Sequence, residues 1–291
     1  MLDLCERVRA MTGTNVTYVW FDTGLEFRAT KTHLEYLEER YGIEILRRRA
    51  AKSIPACVRE YGQPFLNKYV SMHLERMQRH GFQWEDEPYE ALAEKYEGIT
   101  ATLKWWTNGW TRTGLPGFFD IGRHKLLKEF IIENPPWFKV SNKCCTWAKK
   151  KVSASVAREL GADVVLTGIR RSEGSTRSAI KKCFSKGDKG FDTYRPILWF
   201  TNDDKRMYEQ LFGIRHSDCY TAWGFSRTGC VGCPYNRSVD VELGIAERFE
   251  PRISRAARKV FADAYEYTRL FHEYRDSHMT GQMSLDLRHA R

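Results

Sequence analysis

Apolar positions in this chain change period several times, and each change marks an element. Leu4, Val8 and Met11 recur at helical spacing and predict a short opening helix that Thr12, Gly13 and Thr14 end. Val16 to Phe21 is a continuous β-branched and aromatic run, the pattern of a parallel strand covered on both faces, and it finishes in Asp22-Thr23-Gly24. Thr30 is placed to cap a helix running to about Tyr41, and Glu44 to Leu46 reads as the next strand. Strand, helix, strand in that order predicts a parallel pair with a crossover helix.

From 52 to 138 the alternation gives way to long helical patterns at Pro64 to His80, Tyr89 to Tyr96 and Arg123 to Glu133, separated by Trp-rich and Gly-rich stretches. This reads as a helical insertion. Its tryptophans, Trp84, Trp105, Trp106, Trp110 and Trp137, are able to stack on bases, but core packing is the expected role for most, because large aromatics dominate burial in thin helical layers. The first pattern then resumes. A helix is expected from Thr146 to Leu160, a strand from Asp163 to Thr167, a shorter strand from Pro196 to Phe200, and a helix to about Phe212 capped by Asn202. A last helix from about Ile253 to Tyr274 closes the chain. The expected fold class is α/β, a parallel sheet with flanking helices. Residues 1–240 form the α/β domain, interrupted by the insertion at about 52–138, and 241–291 form a helical C-terminal segment.

Composition narrows the class. At 291 residues and 42% apolar side chains the chain can bury one large core or two smaller ones. No run approaches the roughly 18 apolar residues of a membrane span, and Met1-Leu2-Asp3-Leu4-Cys5-Glu6 lacks a signal-peptide layout, so the expected location is cytoplasmic, with no membrane partner. In that reducing setting the eight cysteines are read as metal or redox ligands and buried thiols rather than a disulfide framework. Cys5, Cys57, Cys183 and Cys219 stand alone and are read as bystanders, Cys183 included although Lys181 and Lys182 flank it. A net charge of +10 implies anionic partners, nucleotide or nucleic acid, without choosing between them. Lys149, Lys150 and Lys151 sit inside a helical pattern and are read as a solvated face.

Ligands of open α/β sheets bind beyond the carboxyl ends of the strands, which singles out two loops. Asp22, Thr23 and Gly24 offer a carboxylate and a hydroxyl to a ribose or adenine edge, with a glycine that permits close approach. The second loop, Gly168-Ile169-Arg170-Arg171 with Arg177 downstream, brings three guanidinium groups suited to phosphate or sulfate oxygens past a strand end. Cys144-Cys145 and Cys230-x-x-Cys233, far apart in the chain, are the most specific feature. Four thiolates hold either zinc or an iron-sulfur cluster. Adjacent cysteines chelate one zinc awkwardly, whereas a cubic cluster offers them separate corners, which favours [4Fe-4S] with zinc as the alternative.

These segments together resemble the phosphoadenosine/adenosine phosphosulfate reductase family. The likeness covers Trp20-Phe21-Asp22-Thr23-Gly24, Gly168-Ile169-Arg170-Arg171 with Arg177, Arg195-Pro196-Ile197-Leu198-Trp199-Phe200-Thr201-Asn202-Asp203-Asp204, and the Cys144-Cys145 and Cys230-Val231-Gly232-Cys233-Pro234 pairs, which look like that family's cluster ligands. The resemblance implies a nucleotide-alpha-hydrolase-like fold and a ligand such as adenosine phosphosulfate, phosphoadenosine phosphosulfate or ATP. It also implies a cluster near the ligand's sulfate end and a thioredoxin-like electron donor. Two departures stand out. The family's Ser-Gly-Gly-x-Asp-Ser phosphate loop would precede Met1, and no cysteine follows Cys233 to serve as the family's nucleophile. No catalytic residue is therefore assigned. The expected function is sulfonucleotide reduction or nucleotide-activated sulfur transfer; the alternative is a nucleic-acid-directed sulfur-modification enzyme or a non-catalytic DNA- or RNA-binding regulator on the same fold.

Overall fold

A computed structural model describes residues 1–110, 117–174, 177–187 and 190–286, with side chains described as far as 279. The chain forms two compact units, Met1–Ser53 with Cys145–Cys230, and Ile54–Cys144 with Val231–Arg291. It passes between them at Ser53-Ile54, at Cys144-Cys145 and again at Cys230-Val231.

All the strands described belong to the first unit. β1 (Tyr18–Asp22) pairs in parallel with β2 (Ile45–Arg49), in register from Tyr18 opposite Ile45 to Asp22 opposite Arg49. A second sheet has the order β3-β5-β4: β3 (Val164–Leu166) runs parallel to β5 (Asp192–Tyr194), and β4 (Phe184–Ser185) antiparallel to it. The α/β class with parallel pairing follows the sequence pattern. One expected strand does not form. Pro196 to Phe200 is a turn, closed by Leu198 N–H to Arg195 O at 3.1 Å and Phe200 N–H to Ile197 O at 3.1 Å. A short apolar run that starts with a proline lacks a ladder donor, and pairing falls to the segment just before it.

Helices of this unit start where backbone geometry permits rather than at the nearest polar residue. α1 (Leu2–Thr12) ends at Gly13 in the left-handed conformation, as expected. Its buried face, however, is Asp3, Cys5 and Glu6, while Met11 is 85% exposed. Asp3 accepts hydrogen bonds from Arg7 at 2.8 Å, Tyr41 at 2.8 Å and Tyr208 at 2.6 Å, so the helix is docked by a satisfied carboxylate instead of an apolar stripe. α2 (Arg28–Tyr41) begins after Phe27, three residues ahead of a Thr30 cap, with no side-chain cap at all. Phe27 is buried against Trp223 and Phe225, with ring centroids at 5.5 and 5.4 Å, and this packing fixes the helix start. The expected Thr146 helix opens as a π-helical turn, Thr146–Lys150, before α3 (Lys151–Glu159). α4 (Asn202–Leu211) is capped by Thr201 rather than Asn202, in a reciprocal box with Asp204.

The second unit is helical. Its core gathers Phe65, Leu74, Met77, Leu103, Trp105, Trp106 and Phe130 from the insertion with Tyr267 and Phe271 from the closing helix, Ala262–Asp286. Tyr267 donates to Asn134 O at 2.7 Å, and Gln63 bonds both the Asp263 carboxylate at 2.7 Å and Ala264 N–H at 2.9 Å. Insertion and C-terminal segment thus share one core, where the sequence pattern suggested separate pieces. Neither could bury its apolar stripe alone. Trp105 and Trp106 are core residues as expected; Trp110 and Trp137 remain about half exposed. Among the described residues no helix is long and apolar enough to cross a membrane.

Candidate functional site

The end of β1 carries a compact polar cluster within the first unit. Asp22 Oδ1 accepts from Gly24 N–H at 2.9 Å and Oδ2 from Lys31 Nζ at 2.9 Å. Burial works to raise the Asp22 pKa, and these two bonds outweigh it, holding the carboxyl below its usual range. Gly24 has φ 84°, a conformation that a side chain would strain. Thr23 is buried, its hydroxyl 2.6 Å from Glu26 Oε1 and 3.7 Å from Cys230 Sγ.

Lys149 completes the cluster from the π-helical turn. As a residue it is exposed, yet its ammonium is partly desolvated, which lowers its pKa; the Cys230 sulfur and the Glu26 carboxyl, then Cys145, more than compensate and raise it. Burial pushes both partners towards neutrality. The Cys230 thiol is raised by burial and drawn down again by Lys149, and Glu26 is raised by burial against the pull of Thr23 and Lys149. Thr23, Glu26, Lys149, Cys145 and Cys230 therefore form one electrostatic group. Glu26 was not singled out in the sequence, and Lys149, exposed as expected, also takes part in this group. The signal was its position, one turn beyond Cys145 on the same helical segment. Lys151 follows the bland expectation, with its ammonium 3.4 Å from the Trp147 ring centroid.

The arginines past β3 are arranged differently. Arg170 is tied to the start of α4 and its own loop, donating to Thr201 O at 3.0 Å, Asn202 Oδ1 at 3.1 Å and Ser172 Oγ at 2.9 Å. Arg171 donates from Nε to Ser178 O at 3.0 Å and lies over the Trp199 ring, 4.9 Å from its centroid. Arg177 is paired with Glu173; burial and the like charge of Arg227 hold its pKa below the ordinary value. Gly168 is exposed, and a side chain there would meet only ordinary contacts, with Met1 Cβ at 3.5 Å. The three guanidinium groups share one loop, but each has its own partner.

The remaining cysteines belong to the second unit. Cys144 is buried and Cys233 half-buried. The turn ahead of Cys233 requires its glycine. Gly232 has φ 63°, donates to Glu242 Oε1 at 2.7 Å, and accepts at its carbonyl from Tyr265; a Cβ would stand 2.5 Å from the Tyr265 hydroxyl. Among the described residues no group of three or more His, Cys, Asp or Glu side chains is gathered for a metal ion.

Comparison with known proteins falls on this region. Residues 123–236 match the phosphoadenosine phosphosulfate reductase domain, a stretch that holds both cysteine pairs and the arginine loop but lies downstream of β1. Over 86 residues the chain is 31% identical to the adenosine 5'-phosphosulfate reductase of Neisseria meningitidis serogroup A / serotype 4A, covering 29% of this chain and 35% of that protein. The chain thus aligns with about a third of that relative's length. Residues 123–236, with both cysteine pairs and the Gly168 to Arg177 loop in place, are thus similar to the phosphoadenosine phosphosulfate reductase domain.

Proposed function

We propose that this protein binds an adenine sulfonucleotide beyond the carboxyl ends of β1 and β3, holds a [4Fe-4S] cluster through Cys144, Cys145, Cys230 and Cys233, and acts in sulfonucleotide reduction or nucleotide-activated sulfur transfer. What supports this reading is the likeness of residues 123–236, which hold both cysteine pairs, to the phosphoadenosine phosphosulfate reductase domain; beside them burial works to lower the Lys149 pKa, and Cys230, Glu26 and Cys145 raise it. Cys230 in the bare chain is pushed up towards the neutral thiol. Metal ligation demands the thiolate, and a fixed cation beside the sulfur is what makes a buried thiolate tolerable. The donor set fits a cluster better than zinc, since neighbouring cysteines reach separate iron corners more easily than one ion. When bound, such a cluster supplies a redox and electrostatic centre tuned by the charges and hydrogen bonds around its sulfurs.

This chain's own residues would do the binding. Asp22, kept ionised by Gly24 and Lys31, accepts from a ribose hydroxyl or the adenine edge, and the exposed Gly24 lets the ligand approach. Arg171, half-buried, lies on the Trp199 indole, and Arg177, paired with Glu173, also feels the like charge of Arg227, which an anion would offset. Arg170 holds the loop against α4. Electrons for a reduction would come from an external donor of the thioredoxin type. Calorimetric titration of the anaerobic protein with adenosine phosphosulfate, phosphoadenosine phosphosulfate and ATP tests the assignment: one sulfonucleotide binds best, and Arg171→Ala weakens it. Unchanged affinity in that variant, or no binding of any of the three, overturns it.

A further inference from the structure

The first unit has a hollow of about 800 Å³ whose lysines the sulfonucleotide reading does not use, although it shares Trp199 with that reading. Lys181, Lys182 and Lys186 line it together with Phe184 and Trp199, and no acidic side chain is among its described lining residues. All three lysines are exposed, and none has an ion-pair partner among the described residues. Arg195 adds a charge behind the wall: it donates to Ser185 Oγ at 3.1 Å, while its buried Nε has no hydrogen-bond partner. The aromatic surface is equally unusual. Trp199 is 55% exposed although Arg171 lies over its ring, so the indole is held in place and still open to a ligand. Phe184 stands directly opposite Tyr194 across the β4-β5 pair, and both are exposed on the same face.

Rigid exposed aromatics interleaved with unpaired lysines suit unpaired bases on a polyanionic backbone: the rings accept the base faces and the ammonium groups follow the phosphates. A duplex hides its base faces and would use only the charge. A second basic hollow, of about 720 Å³ between β2 and α3, is lined by no aromatic residue, and there Glu159 neutralises Arg48 at 2.8 Å. The geometry points to a single-stranded nucleic-acid site on the Lys181–Lys186 and Trp199 surface.

Fluorescence anisotropy of the full chain with labelled oligo-dT, oligo-U and a duplex of equal length, at several salt concentrations, is the test. Single strands of either sugar bind more tightly than the duplex. Trp199→Ala weakens single-strand binding roughly tenfold, as loss of one stacking platform does, and leaves the duplex unaffected. Replacing Lys181, Lys182 and Lys186 together by alanine weakens all binding and flattens the log–log salt dependence by about two, at roughly 0.7 per phosphate contact on a single strand. Both variants carry exposed substitutions, and circular dichroism checks that they fold. Equal affinity for duplex and single strands, indifference to Trp199→Ala, or a mononucleotide binding as tightly as the oligomers would each overturn the proposal, as would absence of binding at low salt. Adenosine phosphosulfate titration of the triple-lysine variant separates the two readings, because its affinity stays at the wild-type value.

Discussion

Two loops of the first unit occupy equivalent places, each just past the end of a parallel strand, and they are built in opposite ways. After β1, buried Thr23 and Cys230 meet half-buried Glu26 and the ammonium of Lys149, and the charges of Glu26, Lys149 and Cys230 act on one another. After β3 each arginine is anchored singly, Arg170 to α4, Arg171 to Ser178 and Trp199, Arg177 to Glu173. The first arrangement bears on protonation at a sulfur. In the proposed function the second presents positive charge to an arriving anion while the loop keeps its shape. Similar residue types at similar topological positions serve either purpose according to their partners.

The sharpest way to break the comparison is to remove neighbouring arginines separately. Arg171→Ala is expected to lower sulfonucleotide affinity by roughly 10- to 100-fold, the range for losing charge-assisted hydrogen bonds, with little change in the unfolding midpoint. Arg170→Ala is expected to do the reverse, destabilising the first unit by about 1–3 kcal/mol in urea titrations because Thr201 O and Asn202 lose their donor. Equal effects of the two on binding would mean that the loop is not divided as described.

Thr23→Val probes the other loop. It keeps the shape, removes the hydroxyl 2.6 Å from Glu26, and is expected to cost about 1–2 kcal/mol in chemical denaturation. Lys149→Met removes the cation near Cys230 and Cys145; in the iron-free protein the pH midpoint of Cys230 alkylation should rise and the rate at neutral pH fall. An unchanged midpoint would show that Lys149 does not act on the sulfur.

The smallest effect is one of sign. Asp22 has a depressed pKa in the fold, so its contribution is present above the unfolded carboxyl value and is lost as pH falls through the folded one. Glu26 is raised by burial, so the folded chain binds its proton more tightly than the unfolded chain, and stability falls as pH rises from the unfolded value through the folded one. Glu26→Gln should remove that fall and Asp22→Asn the acid loss, each by less than about 1 kcal/mol for such partly solvated groups. Urea midpoints from pH 3 to pH 7 measure both.

Legibility followed the physics of each signal. β1 was plain because a continuous β-branched and aromatic run reads as a strand, although its five residues are only half-buried rather than covered on both faces; Trp105 and Trp106 were plain because their size leaves them little choice but a core. Pro196 to Phe200 misled because a short apolar run does not distinguish strand from turn, and only the missing donor at Pro196 hinted at the outcome. The α1 pattern located the helix and concealed its buried side, since that side is Asp3 and Glu6 satisfied by Tyr41, Tyr208, Arg9 and Tyr18, residues distant in sequence or unremarkable in pattern. Lys149 was hidden in a charge run whose other members are ordinary. Its role depends on Cys230 and Glu26, and no local pattern announces such a partner.

The account turns on whether the four cysteines hold a cluster. Purification without oxygen, followed by a visible spectrum with iron and sulfide analysis, tests this most directly. The account predicts a broad absorption near about 400 nm with roughly four irons and four sulfides per chain. A colourless protein carrying one zinc, or no metal, would contradict it.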